Sequence, residues 1–428
     1  MTIAHRLAQA GKRVVLYEAS AFLGGLAGTW QLGQVNWDKH FHLTLSSDHS
    51  LRSLLEEIGL ADEMEWRSPT VGTFADGQLH PISDASRSSG SAGDTASLRK
   101  AILEVLQSDD QGEIYRTPAL VWLTEHSDRG IVERLWRPLL RAWFGEHCEE
   151  ISAALVRTFV ARVYPIASHN RTKVEVGYIP GGYGKILERF INLLSREGVL
   201  IRRAYRAQRV EAWHNHVLIE FENGKQKAVD CAVLAIPGRL AGPLCPELSG
   251  GEREQYDNLA YRGVVCASVL LKKPVSGLLM TNVLDPALPF MAVAEMSALV
   301  DCSTFGGHSL VYLPKYVAPN DPSFEKSDRQ IGAEYLNGLM RMYPHIRSGD
   351  IVGYRISRVR DVFPLPLGSC DTLPFMATSI PGIYIANSAQ SVGGSFSVND
   401  TVDLANRAVR ALVTPALSST TMPVVASA

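Results

Sequence analysis

Val14-Val15-Leu16-Tyr17-Glu18-Ala19-Ser20-Ala21-Phe22-Leu23-Gly24-Gly25-Leu26-Ala27-Gly28-Thr29 decides the fold. Four successive apolar residues read as a short strand with an acid at its tip and paired glycines beyond. Upstream, Ile3, Leu7 and Ala10 recur on one helical face, and Gly11 stops that helix. Helix, glycine turn, strand and terminal acid form the second half of a βαβ nucleotide-binding unit, where the acid accepts a hydrogen bond from a ribose hydroxyl. The first half would be a strand and a G-x-G-x-x-G turn seating a pyrophosphate on a helix N-terminus. These residues do not supply it. The expectation is an N-terminally truncated reading frame whose true start lies upstream, or else a lost phosphate cradle.

The spacing Glu18-x5-Gly24-Gly25-x3-Thr29 resembles a segment of the flavin amine oxidase superfamily, which includes protoporphyrinogen oxidases, phytoene-type desaturases and, more distantly, UDP-galactopyranose mutases. The chemistry suits that spacing, because glycines without Cβ allow close backbone approach to a flavin ring. Two further segments resemble the superfamily in the right order. In the first, Pro180-Gly181-Gly182 enters an amphipathic helix, followed by a strand from Val199, a turn at His214-Asn215, another at Asn223-Gly224, and a strand from Asp230 to Pro237. The resemblance implies that Val210 touches adenine. In the second, residues 380–410 read as strand, glycine-rich loop and helix. Here the resemblance places Asn387, where Asp is commoner, against the ribityl or pyrophosphate group. It sets Val398, Asn399 and Thr401 at a helix start facing the flavin. FAD is the implied cofactor, with Glu18, Gly24, Gly25, Thr29, Val210, Asn387, Val398 and Asn399 as its binding residues.

Composition bounds the rest. A chain of 428 residues buries a large core and suits two domains. A formal net charge of −2 gives no push towards nucleic acid, and 46% hydrophobic with 20% charged residues is ordinary for a globular protein. Six cysteines without a C-x-x-C pair argue against structural zinc and a disulfide scaffold, and suit a reducing cytoplasm. No apolar run is long enough to span a bilayer. Contact with a membrane surface stays open on sequence grounds.

Between the three segments, Ser47-Asp48 precedes an amphipathic helix carrying Leu51, Leu54, Leu55 and Ile58, and Asp76-Gly77 marks a hairpin turn. Residues 83–97 are Ser/Gly-rich and read as a linker or lid. Residues 98–162 read as largely helical. Within them, Trp136, Leu140 and Phe144 have core spacing, and Arg137, ahead of Pro138, is a candidate for a substrate carboxylate or phosphate. His42 is a candidate ring-facing group. His214 and His216 have strand spacing that puts both rings on one face, but no third metal ligand is evident, and a surface hairpin accounts for them. Residues 263–271 and 309–313 read as strands and 327–342 as a helix. Arg358 and Arg360 share a strand face opposite Arg355. Residues 413–428 read as a disordered tail.

The sequence therefore points to an α/β fold: a discontinuous Rossmann-like FAD-binding domain, its first strand and GxGxxG turn absent, with an α+β substrate or cap domain. The first is expected over 1–45, 175–240 and 350–412, and the second over 46–174 and 241–349. The expected function is hydride transfer from an apolar or anionic small molecule, protoporphyrinogen- or desaturase-like, to flavin, with oxygen or another electron acceptor. Two alternatives stand beside it. Converging arginines would suit a non-redox, mutase-like enzyme acting on a nucleotide sugar. A fragment without its phosphate loop would bind flavin weakly or not at all and lack activity.

Overall fold

The computed structural model describes residues 1–82, 113–163, 175–365, 367, 376–391 and 396–413. The expected linker at 83–97 and all but the first residue of the expected tail at 413–428 lie outside them.

The largest element is a seven-stranded mixed sheet. Its longest wholly buried strand is Tyr261–Leu271, second from one edge. A strand covered on both faces cannot alternate polar and apolar residues, which is why Val264, Val265, Cys266, Ala267, Val269, Leu270 and Leu271 run almost unbroken. Ser309–Val317 pairs antiparallel on one side and Ile351–Pro364 on the other. Beyond Ser309–Val317 the sheet continues through Ala292–Glu295, Met280–Val283, Val71–Ala75 and Gln78–Ile82. The last two form the expected hairpin. Asp76 and Gly77 take φ of 52° and 72°, the left-handed pair that a two-residue turn of this twist requires. One face of the sheet packs against helix Asp328–Met342 through Ile331, Tyr335, Leu339 and Met342. The other packs against Trp37, Leu45 and Phe305.

Strand Ile351–Pro364 corrects an expected boundary. Placed by sequence with the dinucleotide unit, it is instead the edge strand of the large sheet, hydrogen-bonded along Tyr261–Leu271 from Leu271↔Ile351 to Tyr261↔Pro364. Its arginines are likewise committed to the fold. Arg355 lies 4.8 Å over the Trp30 ring and donates to the Gln31 carbonyl at 3.0 Å. Arg358 pairs with Asp328, and Arg360 with Glu325, each at 2.6 Å. The shared face therefore converges on the 319–328 loop and not on a ligand.

The expected nucleotide-binding strands form two parallel pairs. Val15–Glu18 pairs with Leu200–Arg203, and Ala232–Leu234 with Ile383–Ile385. A three-stranded meander, Ala207–Trp213, His216–Phe221 and Gln226–Val229, packs on the second pair through Val210, Val217, Ile219, Ile383 and Ile385. Tyr17 joins the first pair to the meander, with its ring 4.7 Å from Phe221. His214 falls in the hairpin turn at φ 54°, so it shares no strand face with His216. Among the described residues no group of His, Cys, Asp or Glu is placed to hold a metal.

Helix Thr2–Gln9 buries Ala4 and His5, whereas Ile3 and Leu7 are half-buried and Ala10 is exposed. The buried face is one step round from the expected one because polar contacts set its rotation. His5 bridges Glu57 at 3.0 Å and Glu197 at 2.7 Å, and Arg6 pairs with Glu57 and donates to Asn406 at 2.8 Å. The Arg6 guanidinium holds the Glu57 carboxyl down at about 2.

Helices Ala119–His126, Arg137–Phe144 and Ala153–Val163 enclose a separate apolar core. Ahead of Pro138 the backbone takes a π-helical turn at Val132–Trp136, which accommodates the proline ring and missing N–H.

Helix Gly182–Arg196 begins where the sequence puts its Pro-Gly-Gly turn. Gly181 and Gly182 have φ of 96° and 64°, and a Cβ on Gly182 would lie 2.9 Å from Asp38 Oδ1. Only glycine lets that carboxylate reach the helix start. Gly182→Ala is expected to cost about 2–4 kcal/mol of stability, combining left-handed strain with the clash. A denaturant melt of the variant against the parent chain measures it, and an unchanged midpoint would refute the account.

Candidate functional site

The glycine loop sits on helix Gly182–Arg196. Gly24 and Gly25 have φ of 107° and 55°, and a Cβ on Gly24 would stand 2.5 Å from Leu187 Cδ1. The loop backbone therefore lies flush against the helix, and the close approach that Gly24 allows is to Leu187. Thr29 opens the hairpin Thr29–Leu32/Val35–Asp38, directly opposite Asp38. Its Cγ2 lies 3.0 Å from the position a Cβ on Gly184 would take, a close approach that glycine eases. A cleft of about 310 Å³ follows the loop, lined by Gly28, Thr29, Lys39, Gly184, Leu187 and Arg203 among others.

Asp38 is the polar centre of this neighbourhood, and it is 4% exposed. Its carboxylate accepts from the Tyr183 amide at 2.9 Å, at the positive end of the helix dipole. Its own carbonyl accepts from the Tyr312 hydroxyl at 2.5 Å, tying the hairpin to the large sheet. Burial pushes the Asp38 carboxyl up to about 7, against the opposing pull of the Tyr183 and Gly184 amides.

His42 lies behind the loop. Its Nε2–H donates to the Leu26 carbonyl at 3.2 Å, and its ring packs 4.6 Å from that of Tyr183. Burial holds the imidazole down at about 4, partly offset by the Leu26 carbonyl. His40, 3.2 Å from the Ser357 hydroxyl, is held down to about 4, again chiefly by burial. Both rings are neutral at neutral pH. His42 braces the glycine loop instead of offering a proton.

Glu18 ends its strand opposite Arg203, and its Oε1 accepts from the Ser20 amide at 2.7 Å. Asn387 follows strand Ile383–Ile385 and is 8% exposed. Its Oδ1 accepts from the Ala389 amide at 2.9 Å, and its buried Nδ2 has no partner among the described residues. A buried amide donor left open is a vacancy for an acceptor oxygen. Ribityl hydroxyl and phosphate oxygens both meet that need, so the residues present fit FAD at this strand end.

The other expected residues are placed as follows. Val210 is fully buried within the meander core. Val398 packs into the core shared by the N-terminal helices. Asn399 Oδ1 accepts from the Leu51 amide at 3.0 Å in the first turn of helix His49–Glu57. Thr401 bonds back to the Ser397 carbonyl at 3.1 Å. Arg137 is held by Glu133 and Glu149 at the surface, and its charge is neutralised there. The 393–394 glycines lie outside the described residues.

With this geometry, the comparisons define a class. The chain matches the family "Flavin containing amine oxidoreductase" over residues 1–413, and it belongs to that family. It is an oxidoreductase-type flavoprotein of the amine oxidase superfamily, and its cofactor is FAD. Several solved structures share the fold. A putative protoporphyrinogen oxidase from Exiguobacterium sp. 255-15 is 18% identical, with 96% of each chain covered and a TM-score of 0.74. A putrescine oxidase variant is 14% identical, with 96% of each covered and a TM-score of 0.69. A reduced UDP-galactopyranose mutase is 14% identical, with 97% of this chain and 94% of that one covered and a TM-score of 0.73. No curated protein sequence matches. Among the described residues no helix is long and apolar enough to cross a membrane.

The Asp38 carboxyl gives a measurable pH signature. Its folded value, about 7, exceeds its ordinary 3.8, so the folded state holds the proton more tightly. The stabilisation is complete below about pH 4 and is lost as pH rises through 7. His40 and His42, depressed to about 4 from 6.5, act oppositely: their contribution is present above 6.5 and lost as pH falls towards 4. Comparing wild type with Asp38→Asn cancels the histidines. The variant should gain roughly 2–4 kcal/mol relative to wild type between pH 4 and 8. Parallel stability curves would overturn the assignment.

Proposed function

We propose that this protein is an FAD-dependent oxidoreductase that takes a hydride from an apolar or anionic small molecule and passes the electrons to oxygen or another acceptor. FAD, when bound, supplies the redox chemistry. The chain supplies position, and the observation carrying the reading is the open Nδ2 of Asn387 in a family whose members hold a flavin. In this reading the FAD-binding unit is a discontinuous Rossmann-like domain built from 1–45, 175–240 and the segment after strand Ile351–Pro364, with the large sheet and the 113–163 helices as substrate domain. Glu18 takes the ribose hydroxyl. Gly24, Gly25 and Thr29 let the backbone approach, and Asn387 donates to a ribityl or phosphate oxygen. The neutral His42 fixes the loop and excludes water from behind it.

A proton-transferring side chain is not part of this proposal. The two buried histidines beside the glycine loop are neutral and committed to structural partners, which suits substrate oxidation in which the cofactor carries the electrons. A mutase-like reaction on a nucleotide sugar would want guanidinium groups on a diphosphate. Arg355, Arg358 and Arg360, the residues that suggested it, are occupied within the fold.

The purified chain should show flavin absorption near 375 and 450 nm (about the usual positions of protein-bound oxidised flavin), bleached anaerobically by substrate and restored by an electron acceptor. Protein that turns over only after prior reduction, with no acceptor consumed, would refute the redox reading. Asn387→Leu keeps the volume and removes the donor, and should weaken FAD retention about tenfold, the worth of one buried hydrogen bond. Asn387→Asp should weaken it where phosphate is the acceptor and preserve it where a ribityl hydroxyl is.

A further inference from the structure

Arg262 is the one arginine among the described residues buried to 6% exposure. Its Nη2 donates to the Tyr316 carbonyl at 3.1 Å, its Nε has no partner, and it makes no ion pair among the described residues. An unpaired guanidinium held out of water costs the fold several kcal/mol unless something compensates it. Burial pulls its proton affinity down, and the nearest carboxylates, Glu146 and Asp321, act only at a distance. The surroundings are aromatic. Tyr316 lies 5.0 Å from Phe363 and 6.1 Å from Trp143, whose buried indole Nε1 also lacks a partner. Two open donors therefore flank one tyrosine, and among the described residues no acceptor satisfies either.

Two backbone features maintain this arrangement. Gly145 has φ 62°, and a Cβ there would lie 2.8 Å from Arg262 Nη2, so the glycine makes room for the guanidinium. Gly145 also lines a cleft of about 360 Å³ together with Arg141, Glu146 and Cys148. Phe363 stacks at 4.4 Å on Phe396, a non-glycine residue at φ 54°, immediately before the 398–413 helix. A left-handed phenylalanine is a strained conformation of the kind that gathers at functional sites.

We propose that Arg262, with the Trp143 indole beside it, forms a subsite for the carboxylate of an aromatic or apolar substrate. The guanidinium fork pairs with the carboxylate, the indole N–H adds a donor, and Tyr316 and Phe363 receive the apolar body. A single buried guanidinium suits a singly charged carboxylate better than a phosphate, which would demand more donors. This subsite rests on the redox reading above and narrows its substrate to an organic anion.

Calorimetric titration of the full chain with benzoate and with its neutral isostere benzamide tests it, with inorganic phosphate as a control. Wild type should prefer benzoate by about tenfold or more, the worth of one charge-assisted hydrogen bond. Phosphate should not compete. Arg262→Met should abolish the preference while leaving the thermal midpoint unchanged or raised, because it removes an uncompensated buried charge. Arg262→Lys keeps the charge without the planar fork. It should fold and lose most of the preference, and it decides the matter if the methionine variant fails to fold. Indifference of wild type between the two probes, equal competition by phosphate, or an unchanged preference in Arg262→Lys would overturn the subsite. Flavin content and acceptor consumption are read separately. A flavin-loaded, active enzyme indifferent to benzoate refutes the subsite alone, and a benzoate-selective chain without acceptor-dependent turnover refutes the redox reading alone.

Discussion

The buried carboxylate of Asp38 is the contact on which the rest of the site depends. It ends the hairpin that follows the glycine loop, and it caps the helix on which that loop rests. Through its carbonyl it also receives the Tyr312 hydroxyl from the seven-stranded sheet. Three parts of the chain, near residues 38, 183 and 312, are thereby fixed relative to one another by one residue. One glycine makes it possible: Gly182, left-handed, clears space for the carboxylate. The cost is a carboxyl out of water, and the helix N-terminus offsets part of it.

A second buried carboxylate follows the same logic inside the large sheet. Glu295 is fully buried, and it accepts from the amides of Val275, Ser276 and Gly277 at 2.8–2.9 Å. Three converging N–H groups replace the water it has lost. Arg262 is the opposite case, a buried cation given only one carbonyl. The contrast between these groups distinguishes a charge that the fold has satisfied from one left for a ligand.

Much of the fold was legible because its signals are local. Asp76-Gly77 specifies its hairpin turn through φ, Asn223-Gly224 through the left-handed Gly224 and the Asn223 side chain accepting from the Lys225 amide, and Ser327 with Gln330 forms the capping box that starts the helix expected near 327. The nearly unbroken apolar run of 263–271 announced a strand. The paired glycines were legible as a place where backbone comes close to a neighbour, and at Gly24 that neighbour is Leu187 of the 182–196 helix. What escaped was set by partners far away in sequence. The rotation of the first helix depends on Glu57 and Glu197, the roles of Asn399 and the 355–360 arginines on partners in other elements, and Arg262 on Gly145 and Tyr316. A residue type at a given spacing shows what it is able to bind. It does not show whether the fold has already claimed it.

The two parallel strand pairs have a further consequence, for local stability. Ile383–Ile385 is bonded on both sides, to Ala232–Leu234 and, through the Ile385 amide and the Met376 carbonyl, to the 376–378 segment. Val15–Glu18 and Leu200–Arg203, by contrast, each have a single bonded neighbour among the described residues, and Val15 and Leu200 are exposed. Their outward amides lack the protection that Tyr261–Leu271 gains from partners on both sides. Hydrogen exchange should therefore divide the molecule into a slow core around Tyr261–Leu271 and a fast layer at Val15–Glu18 and Leu200–Arg203. The cofactor region would be the first to open on warming and the most responsive to whatever binds there.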